Sequence, residues 1–273
     1  MRPHPVELFL RTVVARSYPR VIGQLRERSW VFFEVLIPLL TTTGFVFFYR
    51  SLDAPAEFLG FVVLGGAMAA FWLNVLWSMA SQLFWEKETG NLALYIMAPT
   101  TRMAILLGMA VGGLFNTTIK AVAIVTLASL AFGVTYDLSR WPMLVAVFLA
   151  SMAGLYGVGM LFASLYLFFT REAWHLNTLL QEPIYLLSGM YFPVRALGSG
   201  VALAASILPL TLGLDGMRQL LFGPERTRGL LPVDQELGVL VVLAVLFFFA
   251  ARFALEFMET LGKRDGRLTT RGQ

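Results

Sequence analysis

Long apolar runs separated by short charged breaks dominate this chain. A bilayer core about 30 Å thick takes roughly 20 residues of helix. Five runs reach that length easily: 31–49, 58–84, 103–133, 142–169 and 236–257. A sixth, 173–192, is more polar but long enough to cross. Residues 198–222 form a further apolar stretch, broken by Pro209, Gly213, Asp215 and Gly216. Ahead of the first run, Leu8, Val13, Val14, Val21, Ile22 and Leu25 stand among arginines at helical spacing. That pattern predicts an amphipathic arm over residues 1–30 lying at the membrane interface, interrupted at Pro19; a disordered basic arm is the other reading.

Composition agrees with the pattern. The 273 residues are 58% hydrophobic and 14% charged, with a mean hydropathy of +0.72. Average soluble domains are roughly 45–50% apolar and about 25% charged. The chain is therefore expected to be an integral, all-α membrane protein, a single transmembrane domain over 1–273. Cysteine is absent, which removes disulfides and thiolate metal chemistry, and His4 and His175 are too few for a His-rich metal site. The N-terminus "MRPHPVELFL" carries two prolines and a glutamate and lacks an apolar core with a cleavage site, so the first helix is expected to insert uncleaved.

The net charge of +4 reports orientation rather than a nucleic-acid partner. With six spans both termini share one side. That side holds 14 of the 21 Lys and Arg residues, including Arg2, Arg171, Arg267 and Arg271, and six lie opposite, Arg228 among them. Lys120 lies within a span. By the positive-inside rule both termini are cytoplasmic. A full crossing by 198–222 would reverse the basic C-terminal end, so this stretch reads as a re-entrant pair of short helices on the outer side. Its Pro and Gly free backbone groups that must be satisfied within protein.

Between the second and third spans runs "FWEKETGNLALYIMAPTTR", Phe84 to Arg102. Phe84 and Trp85 suit the interface, and Glu86, Lys87 and Glu88 are expected to emerge into water. Gly90-Asn91 supplies a turn. Leu92, Tyr95 and Ile96 follow at i, i+3, i+4 spacing, Pro99 ends the helix, and Thr100 or Thr101 can cap the next. The object is a short helix tied to two spans, able to transmit force if another protein grips it; an ordinary interfacial loop is the plain alternative.

This stretch resembles the conserved loop of ABC type-2 transporter permeases, with Glu88, Gly90, Asn91, Leu92 and Pro99 at the matching positions. Ala93 departs from the family, where many members carry Glu. A second resemblance lies about 100 residues on, in Ser188, Gly189, Phe192, Pro193, Pro209 and Arg218. The resemblance implies the membrane half of an exporter in the cell membrane of a prokaryote. Two copies would pair with two separate ATPase subunits that hold ATP and Mg. No cofactor is expected on this chain. Its three lysines end no G-x-x-x-x-G-K loop, so it is not expected to be an enzyme. Glu86, Lys87, Glu88, Gly90, Asn91, Leu92, Tyr95 and Pro99 would form the ATPase-coupling helix; Phe192, Pro193, Pro209 and Arg218 would belong to an outer gate. In the family the path lies between the two copies, lined by the first, second and fifth spans. Phe45, Phe48, Phe71, Trp72, Tyr185 and Tyr191 are the aromatic candidates to line it, with Glu182 beside them. The cargo implied is a hydrophobic or amphiphilic drug or lipid, with a lipid-linked glycan as the alternative.

Ionisable groups within spans are costly, by about 2.5–3.5 kcal/mol on insertion scales. Glu34, Lys120 and Glu182 are the ones singled out here. Glu34 can reach the interface. Lys120 can snorkel, pair with a carboxylate such as Glu182, or face a polar path. Serving a transport path, these groups would make an ion-coupled secondary transporter the rival; a scaffold that carries nothing is a third reading. Small residues at Thr41–Gly44, Gly65-Gly66, Gly112-Gly113 and Gly154, Gly157 and Gly159 allow close helix packing, within the chain or between copies.

Overall fold

The computed structural model describes residues 4–166, 172–227 and 229–264, and every regular element among them is helical. Arg2, Arg171, Arg228, Arg267 and Arg271 of the charge count, and the last residues of the span expected at 142–169, lie outside the described residues.

The helices run α1 (Pro5–Arg26), α2 (Arg28–Ser51), α3 (Glu57–Leu73), α4 (Gln82–Glu88), α5 (Leu92–Met97), α6 (Arg102–Phe132), α7 (Trp141–Tyr166), α8 (Glu172–Leu187), α9 (Ser199–Ala205), α10 (Pro209–Phe222), α11 (Pro224–Thr227) and α12 (Val233–Arg264). A π-helical turn over Asn74–Ala80 joins α3 to α4, so Glu57–Glu88 is one apolar rod of 32 residues. Among the described residues, five helical segments are long and apolar enough to cross a membrane: Val31–Ser51, Glu57–Glu88, Arg102–Phe132, Trp141–Tyr166 and Val233–Leu261. The chain is a multi-pass, all-α membrane protein.

Two expected elements take a particular shape. The run 173–192 yields α8, whose 16 residues measure about 24 Å at helical rise. Its C-terminal part becomes a turn at Ser188–Phe192, with Gly189 at φ +64°. The stretch 198–222 forms α9 and α10, inclined at 109°, so α10 doubles back instead of continuing outward. Pro209 starts α10 at a position where its missing N–H costs nothing.

The N-terminal arm is one helix, α1, through Pro19. It lies along the first half of α6. A Cβ at Gly108 would come within 2.7 Å of the Val13 carbonyl oxygen and 2.8 Å of Arg16 Cβ, so glycine there permits the contact. Gly65 and Gly66 serve α3 in the same way, against the Met190 carbonyl and the Thr42 hydroxyl. Gly44 meets nothing within 4 Å. The core is built from α3, the π turn, α6, α7 and α10, with Phe61, Phe71, Trp72, Met79, Leu106 and Met152 among its fully buried side chains.

Candidate functional site

The α4–α5 corner begins where the apolar rod ends. The helix carries on through the π turn to Glu88, so Glu86 and Lys87 do not emerge into water as the sequence suggested; both are buried. Glu86 accepts from the Arg16 guanidinium of α1 and, at 2.8 Å, from Gln82. Glu88 is half-buried. Gly90 turns the chain at φ +82°, a conformation that glycine adopts without strain. Asn91 stands at the α5 N-cap without a side-chain cap bond and instead donates to Thr89 at 3.2 Å.

Successive helical residues turn by about 100°, and α5 uses this to face two ways. Leu92 is buried in the core, and Tyr95 lies under Arg16, whose guanidinium sits 5.0 Å from the ring centre. Burial pushes the Tyr95 hydroxyl up to about 12 against the opposing pull of Arg16. On the other side Leu94 and Met97 are 60% and 73% exposed. Sequence spacing singles out Leu92 and Tyr95 together with Ile96, whose side chain lies outside the described residues, and misses this outward pair; the i, i+3 interval from 94 to 97 is the available signal. Ala98 is extended before Pro99, as the proline requires. Thr101 takes the N-cap position of α6 without a side-chain bond, while the Thr100 hydroxyl meets that of Thr12 at 2.9 Å. Arg102 pairs with Glu259 of α12. The corner is thus held from α1, α6 and α12 together.

A groove of about 460 Å³ opens between α2, α3 and α8. Phe45, Glu182, Tyr185, Tyr191 and Phe192 all line it, joined by Ala69 and Leu73 from α3. Phe45 and Tyr191 stack at 4.2 Å and 10°. Tyr49 donates to the Tyr191 carbonyl at 2.9 Å and fixes that ring's backbone. Phe48 is exposed next to Tyr49 and does not line the groove. Phe71 and Trp72 lie in the core, each 1% exposed, on another face of α3 from Ala69 and Leu73. The π turn ties this groove to the rod: Trp77 donates to Gln181 of α8 at 2.7 Å, and Tyr156 of α7 donates to Asn74 at 3.0 Å.

Arg218, on α10, is buried and reaches under the groove's floor. It donates to the carbonyls of Gly189 (2.7 Å), Met190 (2.6 Å), Phe192 (3.2 Å) and Phe61 (3.2 Å). The second motif therefore meets in space, with Arg218 holding the turn that carries Tyr191 and Phe192. Pro193 follows that turn, and Pro209 begins the helix that bears the arginine.

Lys120 does not pair with Glu182. Its partner is Glu34 of α2, which also accepts from Gln24 at 3.1 Å. Both residues sit on the side of their helices where α2 and α6 touch, whereas Glu182 faces the groove. An ion path through Lys120 and Glu182 loses its motivating pair.

The sequence model of one protein family, described as ABC-2 type transporter, matches residues 10–222. No curated protein matches the chain.

Proposed function

The chain belongs to the ABC-2 type transporter family and is a membrane permease subunit, and from that premise we propose that it is the homodimeric membrane half of an ATP-driven exporter of hydrophobic or amphiphilic cargo. It sits in the cell membrane of a prokaryote with α5 and both termini in the cytoplasm. ATP and Mg belong to a separate ATPase subunit.

The observation that carries this reading is the outward face of α5. An exposed apolar pair on a six-residue helix cannot be explained by the chain's own packing, while Leu92, Tyr95 and Arg16 hold the same helix rigidly from within. A cleft on the ATPase would close over Leu94 and Met97. Its movement on binding ATP would be delivered through α4 and the π turn to Trp77 and Gln181, at the groove between α2, α3 and α8. Paired across two copies, those grooves would form the path, with the Arg218-held turn as its outer gate. A drug or lipid suits the stacked aromatic lining better than an ion does; a lipid-linked glycan is the alternative cargo.

Co-purification with the ATPase subunit tests the reading. Leu94→Asp together with Met97→Asp is expected to abolish partner binding while insertion and thermal stability stay as in the wild type. Undiminished binding by that variant would sink the coupling role of α5.

A further inference from the structure

Away from α5 and from the α2/α3/α8 groove, the far end of the molecule carries a second two-part hollow. Its outer part is a cleft of about 610 Å³ whose wall includes Glu57, Asp137 and Arg226. Its inner part is a crevice of about 450 Å³ between α3, α6, α7 and α10, lined almost wholly by apolar side chains such as Met68, Val125, Val145 and Phe148. Tyr136 and Leu221 line both parts, so the polar cleft and the apolar crevice adjoin, with these two side chains on their common border. Along α6 the crevice runs from Thr126 to Thr118, about 12 Å at helical rise. Val122 and Val145, both lining the crevice, are 59% and 44% exposed, so the crevice opens on the outer surface of the helix bundle.

We propose that this hollow binds one zwitterionic phospholipid from the bilayer, its headgroup in the cleft and one acyl chain in the crevice between α3, α6 and α7. The chemistry of the cleft selects that occupant. Arg226 is 69% exposed and pairs with Glu57 at 2.8 Å, leaving donor groups for a phosphate. Glu57 and the exposed carboxylate of Asp137, which its bonds from Ser139 hold below the usual range, offer acceptors to an ammonium group. An anionic lipid would satisfy the arginine and face the two carboxylates unpaired. The Tyr136 hydroxyl is occupied by Ser129 at 2.7 Å, so its ring serves as a wall between the two compartments. This site is separate from the proposed cargo path and rests only on the chain's placement in a membrane.

Native mass spectrometry of the detergent-purified protein, titrated with dioleoyl phosphatidylethanolamine, tests the assignment. Wild type should retain one such lipid per chain, and dioleoyl phosphatidylglycerol or oleic acid should fail to displace it. Val145→Trp, which narrows the crevice at an already exposed position, should weaken retention by about tenfold. Arg226→Ala, on the surface, should do the same by removing the phosphate partner. Equal retention in all three proteins overturns the site, and equal competition by the glycerol lipid or the fatty acid overturns the headgroup assignment. Should Val145→Trp fold poorly by thermal unfolding, the exposed Arg226→Ala substitution decides alone.

Discussion

Arg218 donates a 2.6 Å hydrogen bond to the carbonyl oxygen of Met190 from a buried position, and the same oxygen lies where a side chain on Gly65 would have to go. A Cβ at residue 65 would come within 1.6 Å of it. Three distant stretches of sequence thus meet on one atom: the apolar rod, the Ser-Gly turn and the doubled-back helix.

Removing the guanidinium strands several buried carbonyls at once, each costing about 1–3 kcal/mol. Arg218→Met is expected to lower stability by at least about 3 kcal/mol, and Arg218→Lys to recover only part, since one ammonium cannot span four acceptors. Thermal unfolding in detergent reads both. A midpoint equal to wild type for Arg218→Met would show that the clamp is dispensable.

Gly65→Ala and Gly44→Ala form a matched pair. The first forces the Met190 carbonyl away from Arg218; the second meets nothing within 4 Å. Gly65→Ala should destabilise the chain by about 1–3 kcal/mol, as overpacking typically does. Gly44→Ala should stay within about 0.5 kcal/mol of wild type. If Gly44 instead packs against a second copy, Gly44→Ala will leave unfolding of the monomer unchanged and weaken the dimer, which sedimentation at falling concentration detects.

Much of this architecture can be read from the sequence, and the parts that cannot have identifiable causes. Apolar runs locate the spans because a bilayer allows little else: α2, α3 and α6 begin within a few residues of the expected starts. Arg218 and Gly189 are legible through the resemblance of their stretch to the family's second motif. Phe71 and Trp72 were assigned to the path, yet α3 is apolar all round, and a helix without a polar face gives no sign of which side is inward. Lys120 had carboxylates on two other helices to choose between, and only packing decides that. Glu86 and Lys87 look like a water-exposed break until the π turn is seen to carry the helix past them. Leu94 and Met97 share an i, i+3 interval, but in a helix of six residues it stands beside the Leu92 to Tyr95 interval, and periodicity does not rank the two apolar faces.

The Lys120–Glu34 pair predicts a particular pattern of coupling. The ammonium is almost fully enclosed, so removing only its partner leaves a buried charge, a loss of about 3–5 kcal/mol at such sites. Glu34→Gln alone and Lys120→Met alone should each be destabilising, and the double variant should be more stable than their summed effects imply. Substrate transport by the double variant should persist, as a structural pair requires. Loss of transport with stability restored would instead return the pair to a role in ion coupling.

Arg16 links α1 to the α5 corner through Glu86 and the Tyr95 ring. Arg16→Met should leave Glu86 with only the uncharged donors Gln82, Tyr95 and Asn91 around it and loosen α5, costing about 1–3 kcal/mol. Because Leu94 and Met97 are untouched, partner binding should survive while cargo-stimulated ATP hydrolysis falls. Binding and stimulation falling in equal proportion would mean that α1 does no more than help the chain fold.

The last prediction separates the groove from the core that surrounds it. Tyr191 and Phe45 stack at the groove's wall, where Phe45 is 36% exposed and Tyr191 only partly buried, so neither is a fully enclosed core ring. Tyr191→Ala should therefore cost little stability beyond the roughly 0.5–1.5 kcal/mol of an aromatic pair and the ring's own partial burial. It should abolish stimulation of the partner ATPase by cargo while leaving basal hydrolysis intact. Phe71→Ala, one face away on α3, should do the reverse. It empties a fully buried ring site at a cost of about 3–5 kcal/mol, and whatever protein survives should respond to cargo normally. The two readouts, unfolding midpoint and cargo-stimulated hydrolysis in proteoliposomes, move in opposite directions for the two variants. If Tyr191→Ala keeps full stimulation, the path does not run between α2, α3 and α8.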